Sequence, residues 1–143
     1  MALDSLLQEL TQEHERIGAH LRNVYTLGAS SPQARKELRT VRDLLMLHFQ
    51  RENEEFFPRL RQAAARDKVL KSHLDAFEAE NQVIADAMLQ FFSTYDSADV
   101  SSFHFARDFG ALWALITSRM RREENRLFPA YRKASVELIL AAR

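Results

Sequence analysis

Two stretches of this sequence combine ionisable side chains at helical spacing with an aromatic–proline pair. The first begins at His48, carries Glu52 four residues later, and continues to Phe57-Pro58. Side chains at i and i+4 lie one above the other on a single helix face, so this imidazole and carboxylate can point at the same spot. In a helical bundle such a pair can hold a metal ion between helices.

The second stretch repeats this layout from Arg119, with Glu123 in the place of the first carboxylate and Phe128-Pro129 at the matching distance. Arginine changes the chemistry, because a guanidinium stays protonated and has no lone pair to give a metal. The sequence has no cysteine, which excludes thiolate ligands, thiolate catalysis and disulfides. A metal here must be held by imidazole and carboxylate, which suits iron, manganese or zinc.

Composition predicts a single domain spanning residues 1–143, with 46% hydrophobic residues and a net charge of +0. Zero net charge gives no general attraction to nucleic acid or to anionic membrane, so neither is an expected partner. The start of the chain lacks a basic region followed by a long apolar run, and no stretch approaches the roughly 20 apolar residues of a membrane helix. A cytoplasmic location is the resulting expectation.

Apolar periodicity indicates helices throughout the chain. From Leu3 to Val24 the apolar positions recur in alternating steps of four and three, which describes the inner seam of a bundle helix. Ser31 and Pro32 are placed as N-cap and first residue of the second helix, and Pro58 lies where it would kink that helix. These patterns predict an all-α, antiparallel up-down-up-down four-helix bundle. The predicted helices are about 4–27, 32–65, 68–92 and 102–133, followed by a short helical tail at 135–142.

Polar residues interrupt the apolar seams at matching depth. Burying an ionised group without a partner costs several kcal/mol, so we expect these side chains to pair with one another or with an ion. A weak internal repeat, in which Glu13-His14-x-x-Ile17 is echoed by Glu80-Asn81-x-x-Ile84, supports one common layer. The six interrupting residues are His14, His48, Glu52, Asn81, Arg119 and Glu123.

These motifs resemble those of the hemerythrin-like family, the HHE cation-binding domains. The resemblance covers about residues 4 to 133 and implies a non-haem di-iron site inside the bundle. It also implies functions in carrying or sensing oxygen, handling iron, or responding to redox and nitrosative stress. The features that carry it are Glu13-His14-x-x-Ile17, His48-x3-Glu52 with Phe57-Pro58, and Glu123-Glu124-x-x-Leu127-Phe128-Pro129.

Carried over by position, His14 and His48 match the family's histidines on helices one and two. Glu52 and Glu123 match the two bridging carboxylates. The other half departs from the pattern, because Asn81 and Arg119 stand where the resemblance implies histidines. We therefore expect at most one tightly held ion, with iron implied and zinc able to use the same residues.

His73 is the one candidate that could restore a ligand on helix three. It lies two turns before Asn81, roughly 12 Å along the helix axis. If helix three is shifted in register, His73 could enter the polar layer near Glu123. The alternative is that His73 is a half-exposed residue beside the seam.

Three functions follow from these residues. The first is a metal-binding, non-haem iron domain with a depleted set of metal ligands. The resemblance implies that such a domain senses or regulates in response to oxygen, redox state or iron. Dioxygen or another small diatomic molecule would then bind to the metal. The alternative is a metal-free helical interaction module for a protein partner, in which Arg119 replaces the charge of the metal and pairs with Glu52 or Glu123. An oxidase-type enzyme would use the same residues, but no nucleophile constellation is visible and no catalytic residue is predicted.

Overall fold

The structure is a computed structural model that describes residues 2–28, 31–95 and 102–141. Within these ranges, α2 continues through one π-helical segment into α3, and α5 continues through another into α6, so the chain folds as four long helices. The α-helices are α1 (Ala2–Leu27), α2 (Pro32–Arg51), α3 (Phe57–Ala64), α4 (Lys68–Tyr95), α5 (Ser102–Arg122) and α6 (Phe128–Ala141). The π-helical segments are Glu52–Phe56 and Glu123–Leu127. The predicted all-α, up-down-up-down bundle is confirmed.

Local signals set where the helices begin and end. After α1 the chain turns at Gly28, whose φ of 79° lies in the left-handed region that glycine adopts without steric cost. The Ser31 hydroxyl accepts a hydrogen bond from the N–H of Ala34 at 3.0 Å, and Pro32 is the first residue of α2, as predicted. Asp67 caps α4 in the same way, accepting from the N–H of Leu70 at 3.0 Å.

The first π-helical segment follows from the spacing of buried residues along the second long helix. Its buried positions include His48, Glu52, Phe56 and Leu60, which recur in three successive steps of four, with Phe57 buried beside Phe56. In a regular α-helix each step of four carries the side chain about 40° past the previous one, so the seam would turn away from the core. A π turn takes more residues, which keeps the seam directed inward. Accordingly the N–H of Phe57 donates to the carbonyl of Glu52, five residues back.

The fourth long helix has the same spacing of buried residues and the same π-helical hydrogen bond. Arg119, Glu123, Leu127 and Tyr131 are buried at the same step of four, and the N–H of Phe128 donates to the carbonyl of Glu123. Each π-helical segment is followed by a proline in the first turn of the next α-helix, and proline donates no backbone hydrogen bond. At Pro58, where the sequence suggested a kink, the structure has a π-helical segment directly before the proline.

The core consists of two apolar clusters with a polar layer between them. On every long helix, the residues of one cluster precede the layer and those of the other follow it. The first cluster includes Leu7, Leu10, Phe56, Leu60, Leu74, Phe77, Leu127 and Phe128. The second includes Ile17, Leu21, Leu45, Ile84, Met88, Phe109, Leu112 and Ile116. The buried polar residues between them are His14, His48, Glu52, Arg119 and Glu123.

Two predicted boundaries were wrong. The third helix extends beyond residue 92 to Tyr95, which is buried against the second cluster. The predicted tail at 135–142 is not a separate element, because α6 runs without interruption to Ala141; residue 142 lies outside the described residues. Tyr131 and Ala134 continue the buried seam of this helix, with Leu138 packed beside them, so the apolar spacing extends the helix.

In the described ranges, no helix combines the length and hydropathy that a membrane crossing requires.

Candidate metal centre

Two imidazoles meet at the centre of the polar layer. His14 comes from α1 and His48 from α2, and their Nε2 atoms lie 3.1 Å apart. Both side chains are buried, and their rings meet edge to face with centroids 4.7 Å apart. The first apolar cluster covers the pair from one side, where the Phe128 ring stacks on His14 with centroids 6.0 Å apart.

Each imidazole also forms a hydrogen bond through Nδ1 with a carboxylate that lies outside the layer. His14 Nδ1 lies 2.7 Å from an oxygen of Glu124, and His48 Nδ1 lies 2.8 Å from an oxygen of Glu13. A carboxylate only accepts, so each Nδ1 carries the proton and donates it. This tautomer leaves Nε2 of both rings facing the centre, which is the arrangement that second-shell carboxylates impose on metal-binding histidines.

Two further carboxylates complete the cluster, and each is the first residue of a π-helical segment. Glu123 places one oxygen 2.9 Å from His14 Nε2 and 3.9 Å from His48 Nε2, while an oxygen of Glu52 lies 3.5 Å from His48 Nε2. Both carboxylates are fully buried. Each of these four residues offers one ligand atom, and the four atoms lie within 4.8 Å of one another. The sequence-predicted residues His14, His48, Glu52 and Glu123 thus converge on one point.

The electrostatics of this point favour a cation. Among the described residues, neither carboxylate oxygen of Glu52 has a hydrogen-bond partner. Burial raises the pKa of Glu52 well above its usual value, and the negative charge of Glu123 raises it further. Burial also opposes the charge on Glu123, but hydrogen bonds from His14 and His48 hold its pKa well below the usual value. A buried carboxylate without a partner is costly, so the donor set fits a positive ion shared by Glu52 and its neighbours.

The pKa of His48 also indicates that the cluster favours positive charge. Burial lowers the pKa of His48, but the carboxylates of Glu123, Glu13 and Glu52 outweigh burial and raise that pKa to about 10. With both Nδ1 atoms protonated, the two Nε2 atoms would otherwise face each other lone pair to lone pair across 3.1 Å. Either a proton or a metal ion between them removes this repulsion.

Arg119 fills the opposite half of the layer. Its guanidinium is fully buried and donates from Nε to Glu123 at 3.0 Å. Nη1 donates to the carbonyl of Phe77 and to a carboxylate oxygen of Glu80, each at 3.0 Å, and Nη2 donates to the side-chain oxygen of Asn81 at 2.7 Å. The guanidinium also lies over the Phe77 ring, 4.5 Å from its centroid. These contacts fix Arg119 as a permanent cation at the place where the sequence pattern suggested a lost ligand.

The contacts of Arg119 match one of its two expected carboxylate partners. The ion pair with Glu123 is present, whereas the orphan oxygens of Glu52 receive no hydrogen bond from Arg119. Glu123 therefore contacts His14 on one side and the guanidinium of Arg119 on the other. Glu52 has no ion pair with Arg119; an oxygen of its carboxylate lies 3.5 Å from His48 Nε2.

His73 stays outside this cluster. In the described part of the chain it is half-buried on α4 and does not belong to the group of convergent ligand atoms. Asn81 occupies the layer instead and contacts Arg119, and His73 lies two turns away along α4. The structure therefore does not have the shift of helix three along its axis that would bring His73 into the polar layer.

The sequence did not assign roles to three acidic residues that organise the site. Glu13 and Glu124 orient the histidines, and Glu80 accepts from both Arg119 and Arg122. The internal repeat contained a signal for two of them, because Glu13 and Glu80 precede the equivalent positions His14 and Asn81. Glu124 carried no comparable signal, since its contact with His14 depends on how α1 packs against the second π-helical segment.

A comparison with protein-family models is consistent with this geometry. The hemerythrin HHE cation-binding domain model matches residues 5–131, which includes all four long helices and every residue of the polar layer. Comparisons with curated proteins and with solved structures returned no match. Because this model matches well over half of the chain, the chain belongs to the hemerythrin HHE cation-binding domain family.

Proposed function

We propose that this domain binds one metal ion through His14, His48, Glu52 and Glu123, and that binding serves a sensing or regulatory role. The observation that carries the proposal is the fully buried Glu52, whose two oxygens have no hydrogen-bond partner among the described residues. Proteins rarely bury a carboxylate in this state without a cation. Two imidazoles and a carboxylate suit iron(II), and zinc could use the same residues.

The surrounding residues prepare the ligands. Glu13 and Glu124 hold the two rings so that both Nε2 atoms face Glu52 and Glu123. Arg51 donates to Glu13 from the surface side and so helps to keep that carboxylate ionised. Such outer contacts fix the tautomer and the orientation of a metal-binding histidine before the ion arrives.

Arg119 supports a stoichiometry of one ion. Its guanidinium occupies the half of the layer formed by α4 and α5, where it contacts Glu80, Asn81 and Glu123. A second cation beside it would meet a fixed like charge and no imidazole. This favours a role other than that of a di-iron oxygen carrier.

A single non-haem iron bound here would supply one-electron redox chemistry and an open coordination position for dioxygen or another small diatomic. A cleft of about 420 Å³ between α1 and α2 reaches His48 and is lined by Glu13, Arg16 and Arg51. This cleft is a route for a small molecule from the surface to the ligand cluster. Its charged lining and the burial of His48 limit access to small solutes.

Metal analysis of protein purified without chelator tests the proposal. We expect about one iron or zinc per chain, lost in the variants His14→Ala, His48→Ala and Glu52→Gln. His73→Ala is the matched control and should retain the metal, because His73 lies outside the cluster. Chelated wild type that takes up neither iron(II) nor zinc, with no change in melting temperature, would refute metal binding.

A metal-free interaction module is the second candidate, and the contacts of Arg119 favour it. The guanidinium already supplies Glu123 with a buried counter-charge. In this case Glu52 would remain protonated, as its raised pKa allows. Identical melting temperatures with chelator, with iron(II) and with zinc would support this function over metal binding.

A further inference from the structure

A groove between α2 and α4 lies outside the metal centre and has a volume of about 630 Å³. Its lining is mainly apolar, and two of its large side chains, Met46 and Leu89, are 58% and 71% exposed. The large apolar residues that line it are Met46, Phe49, Ile84, Met88, Leu89 and Phe92. Ligand pockets in proteins are typically about 300–1,000 Å³ and combine an apolar lining with a few polar groups. The groove is therefore of a size suited to a small molecule.

One end of the groove is cationic. A smaller hollow adjoins it, sharing Arg42 and Phe92, and is also lined by Arg39 and Tyr95. Arg42 donates from Nε to the neighbouring Asp43 at 3.3 Å, an exposed pair of the kind that contributes little stability. A ligand with a carboxylate at this end would meet two guanidinium groups beside an aromatic wall. Arginine is the side chain best matched to a carboxylate, because its planar donors bind both oxygens.

The opposite end is polar without a net positive charge. It is formed by Gln50, Asn53, Glu54 and Asn81. Gln50 donates to Glu54 at 3.1 Å, and the Glu54 carboxylate would repel an anion placed at this end. The groove is thus polarised along its length, and a bound anionic group is directed to the arginine end.

A single face of α2 carries this polarity. Arg39, Arg42, Met46, Phe49 and Asn53 follow one another in steps of three and four, so they form one stripe along the helix. The distance from Arg42 to Asn53 is about 16 Å along the axis. This stripe changes from cationic to apolar to neutral polar, which is the order of groups needed to bind an extended amphiphile.

We propose that this groove binds a single-chain anionic amphiphile, such as a medium- or long-chain fatty acid. The carboxylate lies against Arg39 and Arg42, and the alkyl chain runs between the two helices over Met46, Met88 and Leu89. Burying the exposed apolar surface of these side chains stabilises the complex. The binding does not require the metal centre, because none of its four ligand residues lines the groove.

Titration with laurate below its micelle concentration tests the proposal, with binding measured by calorimetry. We expect saturable binding of one laurate per chain. Ala85→Trp, which puts an indole into the groove from an exposed position, should abolish it. Ala76→Trp is the matched control, because Ala76 is also exposed on α4 but lies about two and a half turns earlier, on the opposite face.

The head-group assignment has a separate test. The double variant Arg39→Gln, Arg42→Gln should weaken laurate binding by roughly tenfold or more and leave lauryl alcohol within about twofold. Arg132→Gln, an exposed arginine of α6 away from the groove, should leave both affinities unchanged.

Three outcomes would overturn the proposal. The first is the absence of saturable laurate binding to the wild type, and the second is binding that survives Ala85→Trp. The third is a double arginine variant that loses the alcohol as strongly as the acid. A wild-type dimer that Ala85→Trp dissociates, together with no laurate binding, would instead assign the groove to a second copy of the chain.

Discussion

The two halves of the bundle use the same contacts around different central residues. In the first half, a glutamate of α1 (Glu13) accepts from His48 and Arg51 of the following helix. In the second half, a glutamate of α4 (Glu80) accepts from Arg119 and Arg122 of the following helix. Each half also places a carboxylate at the first residue of its π-helical segment.

The difference lies in what each half presents to the centre of the layer. His48 meets His14, and two nitrogen atoms face a shared point; Arg119 meets Asn81, and a guanidinium fills the equivalent space. Equivalent glutamates therefore orient an imidazole in one half and a guanidinium in the other. The comparison teaches that similarly placed glutamates on similar helices hold two imidazoles in one half and a guanidinium in the other.

The largest expected effect is on the stability of the cation half. Arg119→Ala should lower the free energy of unfolding by about 3–5 kcal/mol, because it removes a buried counter-charge from Glu123 and leaves the acceptors on Phe77 and Asn81 unpaired. Urea unfolding in the presence of chelator measures this. Arg122→Ala removes an ion pair with the same Glu80 at a partly exposed position and should cost about 1 kcal/mol or less. Equal costs for the two variants would contradict the buried role of Arg119.

The next prediction converts the cation half into a ligand half. The double variant Asn81→His, Arg119→His places imidazoles at the positions equivalent to His14 and His48, with Glu80 available to orient the new ring at position 119. We expect the metal content to rise from about one ion to about two per chain, since both halves would then carry nitrogen ligands. A content that stays at one ion in a folded variant would show that the two halves are not interchangeable.

A smaller effect distinguishes the two orienting glutamates. Glu13→Gln should weaken metal binding by about 10–100-fold, because Glu13 holds the His48 tautomer. Glu80→Gln should leave the metal affinity unchanged and instead lower the free energy of unfolding by about 1–3 kcal/mol, because it weakens hydrogen bonds to the buried Arg119. Competition with a chelator of known affinity, together with urea unfolding, separates the two outcomes. A loss of metal affinity in both variants would mean that the halves act as one unit.

The smallest effect lies outside both halves, at the end of the bundle. The Tyr95 hydroxyl donates to Asp108 at 2.5 Å, and burial, together with this carboxylate, raises the pKa of Tyr95 from 10.0 to about 12. The folded state thus retains this proton longer than the unfolded chain, so stability should fall as the pH rises from 10.0 towards 12. Tyr95→Phe should remove this fall and the corresponding late step in tyrosinate absorbance. An unchanged pH profile would contradict this contribution of Tyr95.

The sequence predicted the fold and the members of the polar layer because both depend on spacing along single helices. His14, His48, Glu52, Arg119 and Glu123 interrupt apolar seams, and such positions must face the core. The sequence left open which carboxylate pairs with Arg119, and the structure has the pair with Glu123, four residues further along the same helix. Burial alone did not distinguish Glu52 from Glu123.

Two other features were harder to predict for physical reasons. Glu124 is one residue beyond Glu123 and is partly exposed, so its contact with His14 requires the packing of α1 against the second π-helical segment. The π-helical segments themselves have a signal, the run of steps of four at His48, Glu52 and Phe56. A proline two residues after this run suggested a kink instead, because proline is the commoner cause of an irregular helix.

The π-helical segments also restrict how the length of this chain can change. Asn53, Glu54 and Glu55 are exposed, so substitutions there should be readily accepted. Deleting one of them would shorten the step from Glu52 to Phe56 to three residues, which a regular α-helix places on one face, so α3 should keep its apolar face directed at the core. Deleting two would turn that face away by about 100°. Surface exposure at these positions therefore permits variation in residue type, whereas residue number can fall by only one.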